Sequence, residues 1–435
     1  MSLFRIVAKN TLAQGLGRAV ALLFSLVITA FLTRLLGVSG YGNYVFILSL
    51  VMFFVAIADW GTGIIFVRES SRNDVEEKRF FGNAFLFRTT LAILFLLLIN
   101  VLIFFVPALY SLSSAVKISS LLMLLVSLKT SCHIIFQARL KFHFMALTDI
   151  AISLSFFLLL LLFFNSLMFA PGLPSVILVF VLANLLGTIL AIVFALNLAK
   201  FDFRADREIL RKIIFEAMPT GALLFTFSIY NRLDIFLLQA FKGSEAVGIY
   251  GLAYKVHDNL ILGAAFLTAS LFPIISGMVG KPEQKERLKL IYRKVFDLLF
   301  AAGLFVLIVI FILAPIIINM IAGPIFTGSV LVLRILVFAT IVAYFNHLTG
   351  YMLIALGKQK VSLIIAILAL VWNLGLNIIF IPHFSYLAAA VITIATEGLV
   401  LILTSFYLAR NFSFFPSIGF PKTLVELFKT RGKIF

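Results

Sequence analysis

The sequence predicts an all-α integral membrane protein of about twelve transmembrane helices, in two six-helix lobes related by a pseudo-two-fold axis along the membrane normal. Three observations carry this: an apolar composition, an alternation of charge along the chain, and an internal repeat. Of 435 residues, 63% are hydrophobic and only 12% charged, against roughly 25% charged in soluble domains. A bilayer core about 30 Å thick takes roughly 20 apolar residues per helix, because each residue rises about 1.5 Å and lipid offers the backbone no hydrogen bonds.

Apolar stretches bounded by Pro, Gly and charge define spans one to twelve at approximately 12–36, 44–67, 81–106, 118–137, 146–169, 176–199, 217–241, 248–275, 295–320, 330–356, 361–381 and 386–409. The first follows Arg5 and Lys9 but lacks a small-x-small exit, so it reads as a retained helix rather than a signal peptide. The N-terminus, the even-numbered connections and the C-terminal tail hold 26 of the 35 Lys and Arg, whereas the odd-numbered connections hold only Lys117 and Lys242. Cytoplasmic loops are the ones enriched in such residues. Both termini are therefore predicted to be cytoplasmic, in a multi-pass protein of the cell (inner) membrane.

The same alternation explains the net charge of +17 without nucleic acid, which would need a clustered basic surface in water. The tail from Arg410 carries five cations among Phe and Leu and is expected at the membrane surface. Cys132, the single cysteine, lies in an apolar run, excludes an intramolecular disulfide and reads as a packing residue.

The repeat is seen in GVSGYGNY (37–44) and GSEAVGIY (243–250), two copies of G-x4-G-x-Y; chance predicts about 0.04 copies in a chain of this composition. The offset of 206 also aligns Gly15 with Gly221, and Gln14 and Ser25 with Thr220 and Asn231. Six spans per half is an even number, so both halves enter from the same side, as in a two-lobed transporter. The expected division is 1–199 for the N-terminal lobe, 200–216 for a cytoplasmic linker, 217–409 for the C-terminal lobe and 410–435 for the tail. GVSGYGNY is expected to be a seven-residue outer turn, its glycines allowing the reversal and its tyrosine anchoring at the interface.

Several stretches carry a resemblance to a known family. TRLLGVSGYGNY resembles A-R-L-L-G-x-x-x-[FY]-G-x-Y, and ADWGTGIIFVRESS resembles D-x-G followed by R-x-x-[AS]. NRLDIFLLQAFKGSEAVGIYGLAYKV resembles D-x-x-L-L with V-G-x-Y-x-x-A-x-K, and LFPIISGM fits L-x-P-x-x-S. These are patterns of the polysaccharide repeat-unit flippases, O-antigen type, of the multidrug/oligosaccharidyl-lipid/polysaccharide exporter superfamily. The resemblance implies a flippase moving a polyprenyl-pyrophosphate-linked oligosaccharide, a lipopolysaccharide-type repeat unit, by alternating access. It implies membrane lipids and other polysaccharide assembly proteins as partners and no cofactor; the energy source is either an ion gradient, with H+ or Na+ as the coupling ion, or the membrane potential acting on the charged head. One departure stands in IPHFSYLAAA (381–390), where Ser385 and Ala388 replace glycines of the family pattern, so a stiffer start to span twelve is expected.

An ionisable side chain in the membrane costs at least about 2.5 kcal/mol and faces a cavity or a partner, so the membrane-buried charges are the site candidates. They are Arg18, Arg34, Asp59, Arg88 and Lys129 in the first half, and Arg232, Asp234, Lys255, Asp258, Arg334 and Glu397 in the second, with Asp297 near an inner boundary. Arg34 and Arg334 lie near outer ends and are expected to snorkel. In span one, Gln14, Arg18, Ser25 and Thr29 form a polar stripe. Arg18 and Asp59 lie at similar depth and read as an ion pair between spans one and two.

Arg88 and Lys129 show no acidic counterpart at their depth, which leaves the first half a positive interior, so Arg18, Arg88 and Lys129 are the candidates for a substrate pyrophosphate. Asp59, Asp234, Lys255 and Asp258 are candidates for ion coupling or for structural pairing, with Lys255 and Asp258 spaced to pair with each other. Asp234 is expected to share a face with Asn231 and Thr220, and Arg232 to point elsewhere. Asn231, Asn373 and Asn377 either touch sugar hydroxyls or bind neighbouring helices.

No G-x4-G-K-[ST] loop, H-E-x-x-H or Cys/His cluster occurs in the sequence, so neither ATP hydrolysis nor a metal site is expected. A membrane-embedded enzyme of polysaccharide assembly would need larger outer loops. A multidrug antiporter of the same superfamily, the nearer alternative, would need an acidic cavity for organic cations, whereas these residues make the first half basic.

Overall fold

The computed structural model describes residues 3–63, 74–139, 141–165, 172–199, 202–416 and 419; side chains are described from Leu22 onward, save those of 74–77, 164, 165, 212, 216, 219, 220, 223, 224, 227 and 273. The stretch 64–73 and the tail from 420 lie outside the described residues, as do the side chains of Gln14, Arg18 and Thr220.

The helices follow one another as α1 (Leu3–Asp59), α2 (Asp74–Leu102), α3 (Pro107–Tyr110), α4 (Ser113–Ala138), α5 (Phe142–Asn165), α6 (Leu173–Leu198), α7 (Arg207–Tyr230), α8 (Leu233–Met278), α9 (Lys285–Ala322), α10 (Gly328–Ala355) and α11 (Gln359–Phe412). Among the described residues, nine helical stretches are long and apolar enough to cross a membrane. Three of them join two spans at one non-helical residue: Gly37 (φ 66°, ψ −173°) in α1, Gly243 (φ 78°, ψ −173°) in α8 and Ser385 (φ 55°, ψ −138°) in α11. With each of those three counted as two, the nine stretches amount to twelve spans, and the protein is an all-α polytopic membrane protein.

Those reversals correct the expected seven-residue turns. At Gly37 and Gly243 a single residue turns the chain, in a region of positive φ and extended ψ open essentially only to glycine. Helix resumes at once, so Ser39 to Gly42 already belong to the following span. The motif tyrosine turns inward rather than anchoring at an interface: Tyr250 is fully buried, and Tyr44 stacks on the buried Tyr41 with ring centroids 6.2 Å apart.

The chain divides into two compact units, Met1–Arg232 and Leu233–Phe435. In the first, α4 packs on α2 and α6, and α5 on α6 and α1. Their core includes Phe80, Ala84, Ile135, Phe136 and Ala195. Helix α7 belongs here too, because Ile213 and Ala217 are buried in that same core. Its approach is fixed by the segment ahead of it. Asn83 donates to the Arg204 carbonyl (3.0 Å) and accepts from the Asp206 N–H (2.7 Å), and Asp206 then accepts from the Glu208 and Ile209 N–H groups at the start of α7. A Cβ on Gly82 would stand 1.8 Å from the Asp202 carbonyl oxygen, so only glycine admits this crossing.

In the second unit, α10 packs against α8, α9 and α11, and α8 against α11. The core there is built on Leu271, Tyr292, Phe296, Leu348 and Met352, with Phe296 and Phe345 stacked at 4.3 Å. In both units the outer faces are apolar: Phe104, Phe105, Leu162, Phe305 and Phe406 are all more than 60% exposed, which suits hydrocarbon rather than water.

Candidate functional site

In the first unit the polar interior is organised by α4, whose Thr130, Lys129 and His133 reach different neighbours. Asp59 is the last residue of α1, where Trp60 and Gly61 take positive φ (47° and 67°) and end the helix. Its carboxylate lies 3.0 Å from the Arg88 guanidinium of α2, and the same Arg88 nitrogen donates to Thr130 at 2.7 Å. Arg88 is 3% exposed and Asp59 33%. The Arg88 Nε and Nη1 are buried without an acceptor among the described residues, beside a small pocket lined by Phe81, Phe85, Ser131 and Ile134.

Lys129 pairs with Asp149 of α5 at 2.9 Å. One turn along α4, buried His133 meets Thr148 at 2.9 Å. Thr148 spends its own proton on the Met145 carbonyl (2.8 Å), so His133 Nε2 is assigned as the donor.

These contacts correct the expectation that Arg88 and Lys129 lack acidic counterparts: each has a carboxylate partner. They also give Asp59 a partner in Arg88; the expected pairing of Asp59 with Arg18 falls on a side chain outside the described residues. Asp149 was missed because it sits at the inner end of span five, where a charge is ordinarily assigned to the loop. With it, the first half holds two intramembrane acids, and the excess of positive charge is smaller than the sequence reading had it.

Span seven is discontinuous. Helix α7 ends at Tyr230, Asn231 and Arg232 form a turn closed by Arg232 N–H to the Ile229 carbonyl (3.1 Å), and α8 begins at Leu233. The break separates residues expected on one face: Asn231 is exposed, Arg232 half-buried and Asp234 5% exposed. The Asp234 carboxylate accepts from the Ile235 N–H at 2.8 Å and from the Tyr250 phenol, and Thr393 of α11 lies 3.3 Å from the same phenol.

Asn377 donates to Asn373 (2.8 Å), and Asn373 to Thr396 (3.2 Å), with both asparagines buried. These amides bind the two halves of α11 together, which favours the helix-binding alternative over sugar contact. His257 of α8 meets Thr340 of α10 at 2.8 Å, and Asn346 donates to Glu397 at 2.6 Å. Lys255 and Asp258 are half-buried and each is engaged. The two histidine–threonine pairs went unread in the sequence because isolated histidines carry no spacing signal.

Among the described residues no cluster of three His, Cys, Asp or Glu could hold a metal. Twelve membrane spans folded around buried ion pairs and hydrogen-bonded polar chains define a polytopic membrane protein with a polar interior. The family follows from comparison. A model described as polysaccharide biosynthesis protein matches residues 7–279, and the chain belongs to that family; a MatE model matches residues 219–379.

Among curated proteins, the chain is similar to the probable low-salt glycan biosynthesis flippase Agl15 of Haloferax volcanii, 26% identical over 181 residues, 41% of this chain and 38% of that protein. The matched stretch is thus well under half the length of that relative. Among solved structures, the fold is that of the lipid II flippase MurJ in an inward closed conformation, with TM-score 0.77 and 14% identity over 98% of this chain and 93% of that one. An inward-facing MATE family multidrug resistance transporter of the MOP superfamily gives TM-score 0.68 and 16% identity over 95% and 96%.

Proposed function

We propose that the protein is a flippase carrying a polyprenyl-pyrophosphate-linked oligosaccharide, a repeat unit of a surface polysaccharide of O-antigen type, across the cell membrane by alternating access. The observation that carries this is the family match over residues 7–279. Agl15, a probable glycan flippase, and MurJ, a lipid II flippase, support the reading.

The physical requirement is a hydrated path for a charged head while the polyprenyl tail stays in lipid. The polar groups of the interior supply it, with both termini on the cytoplasmic side and membrane lipids around the apolar faces. Arg88 and Lys129 enter as charges already held by carboxylates, which makes them responsive to a competing phosphate rather than open ligands for one. Asp234 is the carboxylate that a coupling proton or Na+ would reach through Tyr250 and Thr393.

Deleting the gene and extracting lipids tests the reading. Accumulation of a lipid-pyrophosphate oligosaccharide on the inner leaflet is the expected result. Normal surface glycan combined with new sensitivity to cationic drugs would overturn it in favour of a multidrug antiporter, the reading the MatE match keeps in view.

A further inference from the structure

A flippase for a pyrophosphate-bearing lipid needs a cation in the membrane whose donors the protein has not already engaged. Taken in turn, most of the intramembrane cations are engaged. Arg88 is neutralised by Asp59 at 3.0 Å and Lys129 by Asp149 at 2.9 Å. Arg334 donates to the Phe311 carbonyl at 3.0 Å and lies over the Phe311 ring, and Arg34 and Lys255 are each engaged as well. Among the described side chains of this set, the guanidinium of Arg232 has neither an ion pair nor a hydrogen bond.

Its position is unusual for a free cation. Arg232 precedes the Gly243 reversal by 11 residues, about 16 Å at 1.5 Å per residue, or half the thickness of the hydrocarbon. It sits in the break of span seven beside the exposed Asn231, where the chain makes a single Arg232-to-Ile229 turn bond before α8 begins. Non-helical backbone and an uncompensated charge are tolerated at that depth where they are buried in protein or line a water-filled cavity, and a half-buried Arg232 next to an exposed Asn231 fits the second; discontinuous spans supply the binding groups of membrane transporters.

We infer that Arg232 is the residue that receives the pyrophosphate of the transported lipid, with the Asn231 amide beside it. This rests on the flippase reading and assigns its anion contact to the break in span seven. Arg88 is the weaker candidate: its charge is already balanced, and the small cavity at its free N–H groups suits water rather than a diphosphate carrying a sugar.

The test uses full-length protein in lipid nanodiscs titrated with farnesyl pyrophosphate, with farnesol as the uncharged control. Arg232→Gln is expected to weaken farnesyl pyrophosphate binding at least tenfold and Arg232→Lys by less, with farnesol unaffected. The ligand-free Arg232→Gln protein is expected to unfold at the same or a higher temperature, because an uncompensated charge has left the membrane interior. Binding by Arg232→Gln within twofold of the unsubstituted protein overturns the inference and leaves the flippase reading standing. Weak binding together with a lowered unfolding temperature also overturns it, by showing a structural role. If the unsubstituted protein binds farnesyl pyrophosphate no better than farnesol, inference and flippase reading fall together.

Discussion

The two units keep polar groups inside the membrane by different means. The first adds opposite charges, Asp59 with Arg88 and Lys129 with Asp149, to a hydrogen bond of His133 with Thr148. The second uses hydrogen-bonded side chains on helices that begin or reverse nearby: Asp234 with Tyr250, Asn373 with Thr396, His257 with Thr340. Their hairpins share a backbone, since Gly37 and Gly243 have the same ψ and nearly the same φ. Yet Tyr41 meets Thr29 in one, whereas Tyr250 meets a carboxylate in the other. A duplicated scaffold has thus kept its reversals, which backbone sterics constrain, while its interior chemistry diverged.

The difference predicts unequal costs when one partner is lost. Asp59→Ala leaves the buried Arg88 charged and alone, and should destabilise by about 3 to 5 kcal/mol, measured as unfolding free energy in detergent. Adding Arg88→Met should recover more than half of that loss, and failure to recover would place the cost elsewhere than in the pair. Tyr250→Phe removes one donor from a carboxylate that keeps its backbone N–H, so about 1 to 3 kcal/mol is expected. A loss equal to that of Asp59→Ala would erase the distinction between the units.

The smallest effect concerns the reversals themselves. Ser385 occupies, at φ 55° and ψ −138°, a conformation close to the one that glycine supplies at Gly37, Gly243 and Gly323. Ser385→Gly should stabilise by about 1 kcal/mol, since relief of strain outweighs the entropy glycine adds to the unfolded chain. An unchanged or lowered unfolding midpoint would show that the serine is unstrained there.

Much of the fold was legible in the sequence. Span positions follow from apolar length, and G-x4-G-x-Y marked two reversals, though not that one glycine completes each. The departure at Ser385 was visible against a pattern rich in glycine, and the structure shows why it matters: the residue turns the chain. The candidate site was legible only as a set of charges. Arg88, Lys129, Asp59 and Asp234 were found because ionised groups are rare in apolar runs. Asp149 was hidden at a span end, and Tyr250 and Thr393 were hidden because neutral polar residues are ordinary in membrane helices.

What the sequence determined by itself is everything that depends on distance along one chain: how many spans cross the bilayer, where cations collect, and which residues allow the helix to reverse. Bilayer thickness and backbone hydrogen bonding act on each segment separately, so these features need no knowledge of neighbours. Which charge meets which carboxylate was decided by tertiary packing alone, because a partner on another helix depends on rotation and relative depth. A shift of one residue turns a helical side chain by about 100°, enough to exchange a paired arginine such as Arg88 for a free one such as Arg232.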